Sequence, residues 1–217
     1  MGRKKNLAQR VNIIKTAYRL FLEEGYDAVT TKQVAEACGI AHSLLHYYYP
    51  TKSDLLTDIV NTMVAKLHSY LIQHEVDLSD KLYVYGLFNR LLFESFIYNR
   101  KLFGIYQAAM ADGEILRRWT KYAVEKLGLF STGDVSEKAK LSPYMLSGGM
   151  GQILLLYIDF KIELEFRETV NLALESFYTT NGLTRAWIHA TIGLIDRRMT
   201  PAFVRGFLGE FSAMMED

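Results

Sequence analysis

The sequence predicts an all-α protein with a small N-terminal three-helix head and a larger C-terminal helical body. Only three prolines interrupt the 217 residues, so there is room for long helices. Apolar residues recur at the spacing of one helix face, and alternating strand patterns bounded by tight turns are absent. These observations place a head at residues 1–52 and a body at residues 53–217.

Two signals define the start of the head. Apolar residues repeat with a helical period from Leu7 to Leu22, and Gly25 follows where a left-handed residue would end the helix. Thr30 and Gln33 have the spacing of a capping box, which predicts a second, short helix running to about Cys38.

Helix-breaking and helix-capping residues predict the next helices. Gly39 predicts a turn, after which residues 42–48 form a third short helix. Thr51, just after Pro50, is a candidate N-cap for a long fourth helix. The body is predicted to be helical throughout, with helices at about 79–98, 101–111, 114–128, 136–160, 165–179, 184–198 and 201–215.

Charge is distributed unevenly although the net charge is only +1. Residues 1–52 carry eight Lys or Arg and four Asp or Glu, which gives +4, and the remainder carries 17 and 20, which gives −3. A basic head on a mildly acidic body is typical of a chain that binds the phosphates of nucleic acid at one end.

Other classes of function find little support. Cys38 is the single cysteine, so the chain can form neither an internal disulfide nor a thiolate zinc cluster. We find no nucleophile or phosphate-loop motif, and we expect no catalytic residues, no metal, no cofactor and no enzymatic activity. The apolar runs are far shorter than the ~20 residues of a membrane span, so we expect a cytoplasmic protein with no membrane partner.

The head resembles the TetR family of bacterial transcriptional regulators over about 50 residues. The resemblance rests on a first-helix pattern, a glycine, and the spacing of a helix-turn-helix followed by a Tyr-x-Tyr-Pro-Thr-Lys sequence. The residues that carry it are Ile14, Ala17, Leu20, Phe21, Gly25, Thr30, Thr31, Val34, Ala35, Cys38, Gly39, Ile40, Leu45, Tyr47, Tyr49, Pro50, Thr51, Lys52 and Leu55. The body resembles the family only in being helical and of suitable length.

The resemblance implies a set of DNA contacts. Thr31 and Lys32 begin the second helix and are expected at phosphate, whereas His42 and Ser43 open the recognition helix and are expected at base edges. Aligned family positions also assign DNA contacts to three further residues, His46, Tyr47 and Lys52.

Two residues depart from the family pattern. His46 replaces the usual Tyr, and Ala41 replaces the usual Ser or Thr, which removes a side-chain N-cap worth ~1 kcal/mol. In the three-tyrosine run we expect Tyr49 to be buried, Tyr47 to face DNA, and Tyr48 to lie between these extremes.

The resemblance also implies a ligand pocket and a dimer. The body is rich in aromatic residues, which suggests a small apolar or aromatic effector, and we expect its pocket to be lined by Phe103, Tyr106, Met110, Trp119 and Tyr157. Residues 143–160 and 165–181 are expected to pair with a second copy, and 184–217 to cover the pocket or extend the interface.

These expectations describe a ligand-responsive regulator, a repressor or an activator, that binds a palindromic operator in double-stranded DNA as a homodimer and is released by its effector. The alternative is a helical module that uses the head to bind proteins. An enzyme is the remaining alternative.

Overall fold

The chain is described by a computed structural model over residues 6–74, 76–131, 135–159 and 165–216. At 155 and 157–159 only the backbone is described. Within these ranges the protein contains helices and no strands, so the predicted all-α class is confirmed. The helices are α1 Leu7–Glu24, α2 Thr31–Ala37, α3 His42–Tyr48, α4 Lys52–Gln73, α5 Lys81–Tyr98, α6 Arg100–Ala111, α7 Gly113–Leu127, α8 Glu137–Asp159, α9 Phe166–Thr180, α10 Arg185–Arg198 and α11 Pro201–Glu216.

The head forms where its caps predict. Gly25 has a φ of 89° and its N–H donates to Phe21, so α1 ends at Glu24. Thr30 and Gln33 form both hydrogen bonds of a capping box at the start of α2. Ala41 provides no side-chain cap for α3, as its missing hydroxyl predicts.

The body is built around α5. This helix is buried on every side from Val84 to Phe96, and α4, α6, α7, α9, α10 and α11 pack around it. A helix without a polar face must be enclosed by others, which fixes α5 at the centre of the fold. Within the described residues, no helix combines the length and apolar character needed to cross a membrane.

The last helix joins the body to the head. α11 contacts α1, α4 and α5, and the Phe211 ring meets the Tyr18 ring edge-on at a centroid distance of 5.5 Å. Tyr70 of α4 donates to the Phe203 carbonyl at 2.9 Å. The division at residues 52 and 53 therefore stays a prediction, since packing continues across it.

A buried ionic cluster holds α5, α9 and α10 together. The Arg90 side chain is fully buried and binds Glu94 at 2.5 Å and Asp196 at 3.0 Å. It also donates to the Asn171 side chain at 2.6 Å and to the Arg167 carbonyl at 3.2 Å. Because these partners come from α5, α9 and α10, the Arg90 guanidinium ties the three helices together.

Replacing Arg90 by Ala should destabilise the fold strongly. It leaves the carboxylates of Glu94 and Asp196 without their buried cation, a loss that typically costs ~3–5 kcal/mol. Chemical denaturation followed by circular dichroism measures the change. The matched control is Arg117→Ala, whose pair with Glu114 is exposed to solvent and should contribute little to stability. Equal losses in the two variants would contradict the role of the cluster.

Candidate nucleic-acid interface and aromatic core

The third helix is held against the first and fourth helices by its inner face. Leu45 is fully buried, and Tyr48 and Tyr49 are almost so. The Tyr49 hydroxyl donates to Asp58 at 2.7 Å and accepts from Arg10 at 3.1 Å, while Arg10 binds Asp58 at 2.5 Å. This network joins one residue from each of α1 and α4 to the C-cap of α3.

Tyr48 differs from the sequence expectation. It is buried rather than intermediate, because its hydroxyl accepts from the backbone N–H of Asn6 at 2.9 Å, just before α1. Asp58 is a mostly buried hydrogen-bond acceptor, with 20% of its side chain exposed. The periodicity of the sequence cannot show these contacts. Tyr48 lies 42 positions from Asn6, and Asp58 lies 48 positions from Arg10.

The outer face of α3 carries most of the expected DNA-contacting residues. His42, Ser43, His46 and Tyr47 are all exposed, with 46% of the Tyr47 surface accessible. Leu44 is 40% exposed on the same helix and was missed by sequence reasoning. The exposure of Leu44 could have been predicted from the helical spacing, because Leu45 and Tyr48 face inward and Leu44 lies on the other side of the helix. An exposed Leu and Tyr offer apolar contact to thymine methyl groups.

Contacts within the head position the two histidines. A ring nitrogen of His42, Nε2, lies 3.0 Å from the Thr31 hydroxyl, which links the starts of α2 and α3. The Nδ1 of His46 lies 3.1 Å from the Pro50 carbonyl oxygen and must donate to it, so its Nε2 is left to face outward. The two rings are 4.3 Å apart.

The two lysines of the expected site have different surroundings. Lys32 is 74% exposed in its side chain and lies 3.8 Å from Glu36. Lys52 is turned inward: its ammonium donates to the Tyr26 carbonyl at 2.6 Å and to the Val29 carbonyl at 2.8 Å. Burial lowers the pKa of Lys52, and the nearby Asp27 charge opposes that change. Its phosphate contact stays a prediction, and its hydrogen bonds tie the α1–α2 loop to α4.

Three of the five expected pocket residues, Phe103, Tyr106 and Trp119, lie close to one another. Phe103, Tyr106 and Met110 lie on α6, and Trp119 lies on α7. The Tyr106 ring is 5.4 Å from the Trp119 ring and 4.2 Å from that of Phe96. We call Phe96, Phe103, Tyr106 and Trp119 the aromatic core. The side chain of Tyr157 lies outside the described residues.

The aromatic core is closed but carries unsatisfied polar atoms. The cavity beside Tyr106 measures only about 10 Å³. The Tyr106 hydroxyl and the Trp119 Nε1 are buried without a hydrogen-bond partner among the described residues. Burial raises the pKa of Tyr106, so its hydroxyl stays protonated and able to donate. Such groups are costly to leave unpaired, which marks a place where a polar ligand atom would be stabilised.

Residues 13–59 match the family described as bacterial regulatory proteins, tetR family. Residues 13–59 therefore carry the N-terminal module of the TetR family. A 60-residue stretch of the chain is 30% identical to the HTH-type transcriptional regulator YuxN of Bacillus subtilis (strain 168). That match covers 28% of this chain, and the chain spans only about a fifth of YuxN, 21% of its length.

Two solved structures share the fold of this chain. RolR in complex with resorcinol superposes with a TM-score of 0.61 at 18% identity, covering 85% of this chain and 93% of RolR. The multidrug binding protein EbrR in complex with imidazole gives 0.54 at 18% identity, covering 85% and 96%. At these identities the likeness concerns the fold alone, and it covers the body as well as the head.

Proposed function

We propose that this chain is a ligand-responsive TetR transcriptional regulator, a repressor that binds a palindromic operator as a homodimer and is released by a small aromatic effector. The observation that carries the proposal is the outward face of α3. This face exposes five side chains: His42, Ser43, Leu44, His46 and Tyr47. The opposite face is held in the head by the buried Leu45 and by Tyr49 at the C-cap. A short rigid helix with a polar and apolar outer face suits a major groove.

Helices α8 and α9 supply a surface for the second copy. They pack on each other and expose large apolar side chains that a monomer would leave in water, including Leu172 at 55% and Met145 at 59%. Gly148 and Gly149 have open space around them, so a partner helix can approach closely. Two copies of this surface would form a four-helix interface about a two-fold axis, which matches the symmetry of a palindrome.

The aromatic core supports an aromatic effector with polar substituents. Its rings offer stacking surfaces, and Tyr106 and Trp119 offer unpaired polar atoms. Met110 packs on the site where Gly151 lacks a Cβ, and its flexible side chain can move to open space between α6 and α8. RolR was solved with the aromatic diol resorcinol, which is consistent with this class of ligand.

A helical protein-interaction module remains the alternative, because an exposed helix face can also bind a protein. Duplex DNA separates the two proposals. Retention of the dimer on non-specific duplex at low salt, lost as salt rises through counterion release, favours the regulator.

Substitutions in the head should separate base reading from positioning. With operators selected from random duplexes, His42→Ala should change base preference, because an exposed side chain at the start of α3 is lost. Lys52→Ala should weaken binding to all sequences alike. The matched control is Lys138→Ala, an exposed lysine on α8. Fluorescence anisotropy on each duplex measures the affinities. An unchanged base preference in His42→Ala would refute the role of His42, and an unchanged affinity for DNA in Lys52→Ala would refute the role of Lys52.

Charge placed on α9 should break the dimer. Leu172→Glu puts a carboxylate into the proposed apolar interface, so its mass by sedimentation equilibrium should fall from dimer to monomer, with loss of operator binding. Ile72→Glu is the control, since Ile72 is 50% exposed on α4 away from α8 and α9. A wild-type monomer, or a dimer that survives Leu172→Glu, would argue against this interface.

Removing the Tyr106 hydroxyl should weaken an aromatic ligand without harming the fold. Tyr106→Phe deletes a buried group that has no partner, so stability should change little, while affinity for a phenol such as resorcinol should fall about tenfold with one lost hydrogen bond. Calorimetric titration measures this, with Tyr18→Phe as the control on α1. If no phenol in a panel of mono- and dihydroxybenzenes binds, or if Tyr106→Phe binds as tightly as wild type, the aromatic core is not the effector site.

A further inference from the structure

A second cavity lies at the junction of the head and the body, apart from the aromatic core. It has a volume of about 720 Å³, within the ~300–1,000 Å³ typical of small-molecule sites. Its walls come from α1, α4 and α11, with Tyr122 contributed by α7. We call it the junction groove and define it by Val11, Lys15, Asn61, Ala65, Lys66 and Met214.

The groove has apolar walls that the monomer leaves exposed. Val11 is 46% and Leu7 is 73% accessible on the α1 side, and Met214 and Met215 line the α11 side. Methionine side chains adapt their shape to a bound apolar group. An apolar chain or ring laid between α1 and α11 would remove these surfaces from water.

The ionic groups of the groove are unbalanced. Arg10, Lys15 and Lys66 line it with a single carboxylate, Asp58. Arg10 is paired with Asp58 at 2.5 Å, and Lys66 is paired with Glu210 at 2.7 Å. Among the described residues Lys15 has no ion-pair partner. One positive charge at the groove is therefore available for a ligand anion.

One of the residues that line the groove also carries a polar atom without a partner. The side-chain oxygen of Asn61, a residue that lines the groove, is buried and accepts no hydrogen bond from the described residues. A buried acceptor of this kind is stabilised when a ligand brings a hydroxyl or N–H group to it. The ligand should thus contain a donor as well as an anion.

We propose that the junction groove binds an amphipathic organic anion: a carboxylate at Lys15, a hydrogen-bond donor at Asn61, and an apolar chain against Val11, Ala65 and Met214. The site is separate from the aromatic core, since the two share none of their defining residues. Because its walls belong to both α1 and α11, an occupant holds the head to the body. The protein then has two ligand sites, one inside the body and one at the base of the head.

Three probes separate the parts of this proposal. 3-Hydroxydecanoate carries the anion, the donor and the chain. Its methyl ester keeps the donor and the chain but loses the charge, and decanoate keeps the charge and the chain but loses the donor. Calorimetric titration of the full chain without DNA should give the tightest binding for 3-hydroxydecanoate. Each deletion should weaken it about tenfold, or about 1.4 kcal/mol.

Variants then place the binding in the groove. Lys15→Gln should remove the preference for the acid over its ester, with Lys138→Gln as the matched control. Ala65→Trp should fill the groove and abolish binding of all three probes, with Ala190→Trp on the exposed side of α10 as the control. Circular dichroism confirms that the variants fold.

The proposal is overturned if wild type binds none of the probes at millimolar concentration. It is also overturned if Ala65→Trp and Lys15→Gln bind as wild type does, which would place the probe elsewhere, for example in the aromatic core. Since the measurement uses no DNA, failure to find an operator leaves this result unaffected, and the two proposals fail separately.

Discussion

The contact on which the head depends is the hydrogen-bonded group formed by Arg10, Tyr49 and Asp58. It joins α1, the end of α3 and α4 through one phenol and one ion pair. With Leu45 buried beneath it, this group decides which side of α3 faces outward. Every property assigned to the outer face, including the exposure of His42 and Tyr47, follows from that orientation.

Local signals were sufficient to place most helices. Caps at Thr30 and Thr51, and a positive φ at Gly25, act within four residues of the helix ends they set, so the sequence shows them directly. The gathering of Tyr106 and Trp119 was also predictable, because both lie on neighbouring amphipathic helices whose apolar sides must face the same core.

Contacts between distant parts of the chain were not predictable in the same way. Arg90 reads as a polar interruption of an apolar helix, yet it is fully buried because Glu94 and Asp196 surround it. Lys52 matches a phosphate-binding position, yet its ammonium bonds to carbonyls 23 and 26 residues earlier. Such pairings depend on how helices cross, which composition and periodicity do not encode.

The edge-on contact between Tyr18 and Phe211 makes the head dependent on the far end of the chain. At Gly206, α11 comes so close to α4 that a Cβ would collide with the Tyr70 hydroxyl. A larger residue at this position would force the two helices apart. An excised fragment ending after α3 would thus expose the Tyr18 ring and lose part of its support. A chimaera that transfers the N-terminal module therefore keeps the contact between Tyr18 and Phe211 only if it also carries α11.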